Sequence, residues 1–338
     1  MKRKVFSIAI ISFFSVQLSF ARVTFEQIKK DVPDVFQRVS VLKDGKNADY
    51  IPALDEKHVD PNLFGVAVVK VDGSRFFYGN SKALFSIQSI SKPFTYALAL
   101  KELGVKPVVE KIGVNATGLP FNSMLSLELK TEDRRQNPMV NAGALQTVNL
   151  IPGQSKMDQW SKIHSFFNEL AGGLLQVSET VFQSEMKTNA GNQSLALRLK
   201  KYEMIDRNLE DTLENYTKQC SLLVNAENLA VMGATLANWG VQPLSGKKLF
   251  DSEIAKNVLS VMVTSGLYDD SGQWFLDTGL PSKSGVGGAI LSIVPGELAI
   301  VVFSPRLNRV GNSVRAEAVI RELSKRWKLH LLSKINSS

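Results

Sequence analysis

Residues 288–303 read GAILSIVPGELAIVVF, two apolar runs separated by a Pro-Gly-Glu segment. Each run has the length of a strand and is rich in β-branched residues, and the proline and glycine between them favour a turn. The stretch therefore predicts a β-hairpin. A second hairpin is predicted far upstream, where residues 64–71 (FGVAVVKV) and 75–78 (RFFY) flank an Asp-Gly pair, which is a strong hairpin signal between β-rich runs.

The chain between the two hairpins, about residues 91–266, has a mostly helical composition. Within it, residues 226–239 place apolar residues at helical spacing. A last helix is expected to begin near Asn312 and Ser313, which are good N-cap residues, and to pack on the sheet. This order predicts an α/β (α+β) fold, with one antiparallel sheet flanked by helices and an inserted helical lobe.

The predicted domain organisation is a single domain over residues 22–338. A sheet lobe would comprise about residues 22–88 and 267–338, and a helical lobe about residues 89–266. The hydrophobic content of 44% is enough for one large core or two closely packed lobes. A functional site is expected between the lobes.

The N-terminus has the form of a secretory signal peptide over residues 1–21. Three basic residues at positions 2–4 precede an apolar run, and Ser19-Phe20-Ala21 is a small-x-small cleavage pattern. Cleavage would leave an exported chain, periplasmic or secreted, with no stable membrane insertion. The alternative is an uncleaved N-terminal anchor.

Charge and cysteine content exclude several classes of protein. The net charge of +8 is modest and scattered, without the interleaved aromatics of a single-strand-binding surface, so no nucleic-acid partner is expected. Cys220 is the only cysteine, so the chain cannot form an intramolecular disulfide. No His, Cys and Asp cluster has metal-ligand spacing, and no metal is predicted.

A Ser-x-x-Lys motif at Ser89 and Lys92 is the first candidate for catalysis. A serine hydroxyl needs a nearby base to act as a nucleophile, and a desolvated lysine can serve. The tetrapeptide occurs four times in the chain, but only this copy lies in an apolar-flanked approach to a helix, with Pro93 in the first turn. The alternative is an ordinary N-cap serine followed by a surface lysine.

A second motif, KSGVGG at residues 283–288, has the Lys-(Ser/Thr)-Gly form of the edge strand in penicillin-recognising serine enzymes. Small residues at such a strand let a substrate approach the backbone. On its own the stretch could be a glycine-rich loop. An early Ser-x-x-Lys helix start combined with a late Lys-Ser-Gly strand favours a serine enzyme.

Eight short stretches then occur in an order that resembles the bacterial and mitochondrial glutaminase family, which shares the serine β-lactamase/transpeptidase-like fold. They are residues 49–52 (DYIP), 86–92 (SIQSISK), 137–144 (NPMVNAGA), 184–185 (SE), 219–221 (QCS), 268–273 (YDDSGQ), 283–288 (KSGVGG) and 311–313 (GNS). Together they span nearly all of the chain after residue 21.

The resemblance implies hydrolysis of L-glutamine to L-glutamate and ammonia, without a cofactor or metal, by a homo-oligomer, either a dimer or a tetramer. It implies Ser89 as the nucleophile, Lys92 as the general base and Tyr268 as the completion of a proton relay. The implied substrate-binding residues are Tyr50, which closes over the substrate, the polar set Gln88, Asn141, Glu185, Asn192 and Tyr216, and Val286, whose backbone N–H joins that of Ser89 in an oxyanion hole.

The chain departs from the family pattern in three places, one of which is the region from Leu145 to Gly153. Gly191 stands where the family usually has an arginine, and Thr217 stands where it usually has a phenylalanine. Two rival functions are therefore carried forward. One is a β-lactamase or D-alanyl-D-alanine peptidase of the same fold, although no Ser-Asp-Asn motif occurs. The other is a glutamine-binding protein without turnover.

Overall fold

The structure is a computed structural model that describes residues 23–129 and 133–336. The predicted signal peptide, residues 1–21, lies outside the described residues. The helices are α1 (Phe25–Val39), α2 (Lys92–Leu103), α3 (Val105–Lys111), α4 (Leu125–Leu129), α5 (Asn141–Leu150), α6 (Lys156–Ala171), α7 (Glu179–Thr188), α8 (Ala190–Lys201), α9 (Leu209–Cys220), α10 (Ala226–Ala237), α11 (Ser252–Ser265), α12 (Ser271–Thr278) and α13 (Val314–Trp327). The strands are β1 (Gly65–Lys70), β2 (Arg75–Gly79), β3 (Phe85–Ser86), β4 (Leu223–Val224), β5 (Ser282–Gly285), β6 (Ala289–Val294) and β7 (Leu298–Phe303).

An antiparallel sheet with the strand order β2-β1-β7-β6-β5 forms the centre of the molecule. Both predicted hairpins are confirmed, as β1 pairs with β2 and β6 pairs with β7. The two hairpins are joined by β1 and β7, where Val66 pairs with Val302 and Val68 with Ile300. Strands from both ends of the chain therefore make one sheet, and the predicted fold class is confirmed.

Each face of the sheet is buried against helices, because successive side chains along a strand point to opposite faces. Val66 and Val302 pack with α1 and α13 in one core cluster. Ala67 and Val301, one residue away on the same strands, belong to a second cluster with residues of α2, α5, α6, α9, α10 and α11. The sheet thus lies between two helical layers.

Helix α10 joins the helical part of the chain to the sheet. It contacts β1, β6 and β7, and Gly233 permits the close approach, since a Cβ at that position would lie 2.4 Å from the Leu291 side chain. The predicted helix over residues 226–239 is confirmed but ends two residues early, at Ala237. Gly240, three residues further on, adopts a φ of +95°. The division of the chain into two lobes stays a prediction.

The chain termini of the described part lie on the same side of the sheet. The predicted last helix is confirmed as α13, whose N-cap hydroxyl, that of Ser313, accepts a hydrogen bond from the Ala316 amide. Helix α1 packs beside it and was not predicted from the sequence, although Thr24 and Gln27 form a capping box at its start. No helix in residues 23–129 and 133–336 is long and apolar enough to cross a membrane.

Candidate active site

The nucleophile predicted from the sequence lies in a tight turn between β3 and α2. A 3-10 turn over Gln88–Ser91 carries Ser89, and α2 begins directly after it at Lys92. Gln88 adopts a φ of +51°, a left-handed conformation that is uncommon for a residue with a side chain. Strained backbone of this kind is typical of functional sites.

Lys92 is buried directly beside the serine, as the motif predicted. Its Nζ lies 3.0 Å from Ser89 Oγ and 2.7 Å from Asn141 Oδ1, and the residue is 1% exposed. Burial disfavours the ammonium form and lowers the pKa of Lys92 to about 8. At pH 7 the ammonium form still predominates, and roughly one molecule in ten carries the uncharged amine.

Tyr268 approaches the same pair from the other side of the site. It begins a 3-10 turn (Tyr268–Asp270), has a φ of +56°, and its hydroxyl donates to the Ser284 carbonyl at 3.3 Å. Burial raises the pKa of Tyr268 to about 12, against the opposing effect of hydrogen bonds to Ser89 and Ser284. The side chain is thus a neutral phenol over the physiological pH range.

Asn141, at the start of α5, connects the lysine to the rest of the polar site. Its Oδ1 accepts hydrogen bonds from Lys92 and from the Tyr216 hydroxyl, the latter at 3.3 Å. Its Nδ2 donates to Asn192 Oδ1 at 2.9 Å. Side chains from α2, α5, α8 and α9 therefore meet at one amide, despite the departures at Gly191 and Thr217.

Glu185, on α7, supplies a carboxylate to the cavity. Its Oε1 accepts a hydrogen bond of 2.6 Å from Gln88 Nε2. Loss of solvent around the carboxylate raises the pKa of Glu185 to about 7, while the Gln88 hydrogen bond and the Lys92 charge act in the opposite direction. The group can change its charge near neutral pH.

These side chains surround a cavity of about 670 Å³. The predicted residues among its walls are Tyr50, Gln88, Ser89, Asn141, Glu185, Asn192, Tyr216 and Val286. Tyr50 is 57% exposed at the opening, whereas Lys92 and Tyr268 lie behind the serine. The structure thus brings all ten predicted residues together, and a pocket of this volume suits a small molecule.

Comparisons with known proteins show the family to which the chain belongs. The family model described as glutaminase matches residues 45–332. The chain belongs to the glutaminase family. The glutaminase of Colwellia psychrerythraea is 45% identical over 303 residues, which cover 90% of this chain and 96% of the relative. The activity of the chain is accordingly that of a glutaminase, a hydrolase of the glutamine side-chain amide.

Solved glutaminase structures share the fold as well. A probable glutaminase, ybaS, superposes with a TM-score of 0.87 at 39% identity and covers 90% of this chain and 97% of its own. The structure of Mglu in its glutamate form has a TM-score of 0.84 at 38% identity, with coverage of 90% and 69%. The antiparallel sheet flanked by helices is the β-lactamase-like fold of these glutaminases. The family therefore favours glutaminase over the β-lactamase and peptidase alternatives.

Two residues of the glutaminase site were not assigned from the sequence. The Phe121 ring lies 4.4 Å from the Tyr268 ring, and the Phe121 carbonyl accepts a hydrogen bond from the Asn141 amide. Lys283, fully buried in the Lys-Ser-Gly motif, donates to the Gly266 and Ser284 carbonyls, with Nζ 4.2 Å from the Tyr268 ring centre. The motif could have indicated Lys283, whereas no local signal marks Phe121.

Metal binding and cysteine chemistry have little support in the described residues of this glutaminase. Among the residues that the structure describes, no group of three or more His, Cys, Asp or Glu could hold a metal ion. Cys220 lies at the cavity wall and is 2% exposed. Burial raises the pKa of its thiol to about 12, so the thiolate needed for nucleophilic reactivity is scarce at neutral pH.

Proposed function

We propose that the chain hydrolyses L-glutamine to L-glutamate and ammonia through an ester on Ser89, with Lys92 as the general base. The observation that carries this proposal is the buried Lys92 amine, 3.0 Å from Ser89 Oγ. A base is most effective when its pKa lies near the working pH, and the pKa of Lys92 is lowered to about 8. An uncharged amine at this distance can accept the serine proton.

In the first half of the reaction, Ser89 Oγ attacks the side-chain carbonyl carbon of glutamine and its proton passes to Lys92. The carbonyl oxygen becomes an oxyanion, which the backbone N–H groups of Ser89 and Val286 would stabilise. Both residues line the cavity. Their position at the wall of one cavity supports the oxyanion hole.

Collapse of this intermediate requires a proton on the leaving nitrogen. The Tyr268 phenol, whose pKa is influenced by Ser89 and which therefore lies near it, would pass the proton of the Lys92 ammonium to that nitrogen. With its pKa raised to about 12, Tyr268 keeps its proton until the leaving group takes it. The carbon–nitrogen bond breaks, ammonia departs, and a γ-glutamyl ester remains on Ser89.

In the second half, water attacks the ester carbonyl and gives a proton to Lys92. The ester bond breaks, and the proton returns to Ser89 Oγ. The new γ-carboxyl group gives its remaining proton to water or ammonia, and L-glutamate is released. Atoms and charges balance without a cofactor, since every proton moves between substrate, water and the side chains of this site.

Substrate recognition is proposed for the polar set on the opposite wall. The α-ammonium of glutamine would pair with the Glu185 carboxylate beside Gln88. Asn141, Asn192 and Tyr216 would surround the α-carboxylate as neutral donors. Burial raises the pKa of the Tyr216 phenol well above its ordinary value, so it remains a hydrogen-bond donor. Tyr50, at the opening, would cover the bound substrate.

Export and assembly complete the proposal. The basic start, apolar run and small-x-small pattern of residues 1–21 support export to the periplasm or medium. The family resemblance supports a homo-oligomer, a dimer or tetramer. N-terminal sequencing of the exported protein should begin at Arg22, and light scattering of that protein should give a mass above that of one chain.

The test of function is ammonia release from L-glutamine by the purified chain beginning at Arg22, beside its Ser89→Ala variant. Release that is lost in the variant supports the proposal. Retained activity in the folded variant would sink the assignment of the nucleophile. Tight glutamine binding without ammonia release would favour the binding-protein alternative, and penicillin acylation would favour a cell-wall enzyme.

A further inference from the structure

Ser91 has no role in the chemistry described so far, yet its hydroxyl forms a hydrogen bond within the 3-10 turn, Gln88–Ser91, that carries Ser89. The residue is fully buried, and its Oγ donates to the Gln88 carbonyl oxygen at 2.7 Å. Gln88 is the residue with the left-handed φ of +51°. The hydrogen bond from Ser91 to the Gln88 carbonyl oxygen stabilises the Gln88 backbone in a conformation that a residue with a side chain otherwise avoids.

The Gln88 carbonyl and the Ser89 amide belong to one peptide group. That group is planar and trans, so its C=O and N–H bonds point in opposite directions. Fixing the direction of the Gln88 oxygen therefore fixes the direction of the Ser89 N–H. This N–H is one of the two donors of the proposed oxyanion hole.

Two further buried side chains, those of Gln219 and Thr95, form a chain of hydrogen bonds that ends at the Ser91 hydroxyl. Gln219 Nε2, on α9, donates to Ser91 Oγ at 3.4 Å, and Thr95 Oγ1 donates to Gln219 Oε1 at 2.8 Å. Gln219 and Thr95 are 0% and 1% exposed. Three polar side chains with no access to solvent thus end at a single backbone carbonyl next to the nucleophile.

We propose that Ser91 is a positioning residue of the oxyanion hole: its hydroxyl, supported by Gln219 and Thr95, aims the Ser89 N–H at the oxyanion that forms during glutamine hydrolysis. This inference rests on the proposed function. Ser91 touches no reacting atom and acts through the Gln88–Ser89 peptide.

A positioning role of this kind predicts a specific kinetic pattern. The Ser89 N–H serves the transition state more than the bound substrate, so its misalignment lowers kcat and leaves KM nearly unchanged. Loss of a whole oxyanion-hole donor typically costs about 100- to 1000-fold in kcat. Ser91→Ala misaligns the donor without removing it. We therefore expect kcat to fall by at least about 10-fold, but by less than on loss of the whole donor.

The experiment measures kcat, KM and inhibition by L-glutamate for the wild type, Ser91→Ala and a graded pair, Gln219→Met and Thr95→Val. The matched control is Ser324→Ala on α13. Ser324 is 2% exposed, and its Oγ donates to the Thr278 carbonyl at 2.7 Å, so the control removes an equivalent buried hydrogen bond far from the cavity.

We expect the loss of kcat to increase from Thr95→Val through Gln219→Met to Ser91→Ala. KM and inhibition by glutamate should stay within about twofold of the wild type. Ser324→Ala should keep the wild-type kcat. If Ser91→Ala does not fold, the graded pair decides by the same criteria. Wild-type kcat in the folded Ser91 variant, or a loss confined to KM, would overturn the inference. An inactive wild type would instead overturn the proposed function.

Discussion

The side-chain amide of Gln88 donates to the Glu185 carboxylate at 2.6 Å. This hydrogen bond joins the 3-10 turn that carries Ser89 to helix α7. Gln88 directly precedes Ser89, whereas Glu185 lies 97 residues further along the chain on α7. The carboxylate that would hold the substrate ammonium is therefore fixed relative to the attacking hydroxyl. The distance between the Glu185 carboxylate and the Ser89 hydroxyl depends in part on this contact.

The pH dependence of kcat should report the lysine base. Because burial lowers the pKa of Lys92 to about 8, the uncharged amine accumulates as the pH rises through that value. With saturating glutamine, kcat should therefore rise from about pH 6 and level off above about pH 9. A kcat that falls over this interval would contradict Lys92 as the base.

The pH dependence of KM should report Glu185. Its pKa is raised to about 7 by burial, so the carboxyl gains a proton as the pH falls below that value and can no longer pair with the substrate ammonium. KM should increase on the acid side while the α-ammonium of glutamine stays charged. A KM that is constant between about pH 5 and 8 would remove Glu185 from this role.

Substitution of the same carboxylate gives a complementary prediction. Glu185→Gln should raise KM by about 10- to 100-fold, since a charge-assisted hydrogen bond contributes about 1.5–3 kcal/mol. The matched control is Glu179→Gln on the same helix, where the exposed carboxylate accepts a hydrogen bond from the Gln183 side chain. Equal KM values in the two variants would show that Glu185 does not bind substrate.

Removal of the Tyr268 hydroxyl should affect turnover and spare folding. Tyr268→Phe loses the proton relay, and a proton-transfer group typically contributes about 100-fold or more to kcat. Tyr96→Phe is the control, because the buried Tyr96 hydroxyl has no hydrogen-bond partner in the described part of the chain. If both variants turn over glutamine at the wild-type rate, Tyr268 is not part of the relay.

The contact between α10 and the sheet predicts a stability change that is independent of catalysis. Gly233→Ala would place a Cβ 2.4 Å from the Leu291 side chain and 3.0 Å from Ala299 Cβ, and overpacking of this kind costs about 1–3 kcal/mol of unfolding free energy. Gly272→Ala on α12 meets nothing within 4 Å and should be neutral or stabilising. Denaturant unfolding of both variants compares the two outcomes, and equal stabilities would contradict the tight contact.

Local chain chemistry was sufficient to predict much of the molecule from the sequence. Turn residues between β-rich runs predicted both hairpins, and the Asn-Ser pair at residues 312–313 predicted the start of α13. Helical spacing predicted α10, and short motifs indicated the candidate site residues that the structure brings together. Each of these signals is contained within a few consecutive residues, because turn, cap and periodicity preferences act over that range.

The tertiary structure alone decided the properties that arise between distant parts of the chain. The pairing of β1 with β7, the contact of Gln88 with Glu185 and the position of Phe121 against Tyr268 join segments far apart in sequence. The pKa values of Lys92 and Glu185 depend on how completely neighbouring helices exclude water. A motif can name a lysine and a carboxylate, but only packing sets the solvation that tunes their charge.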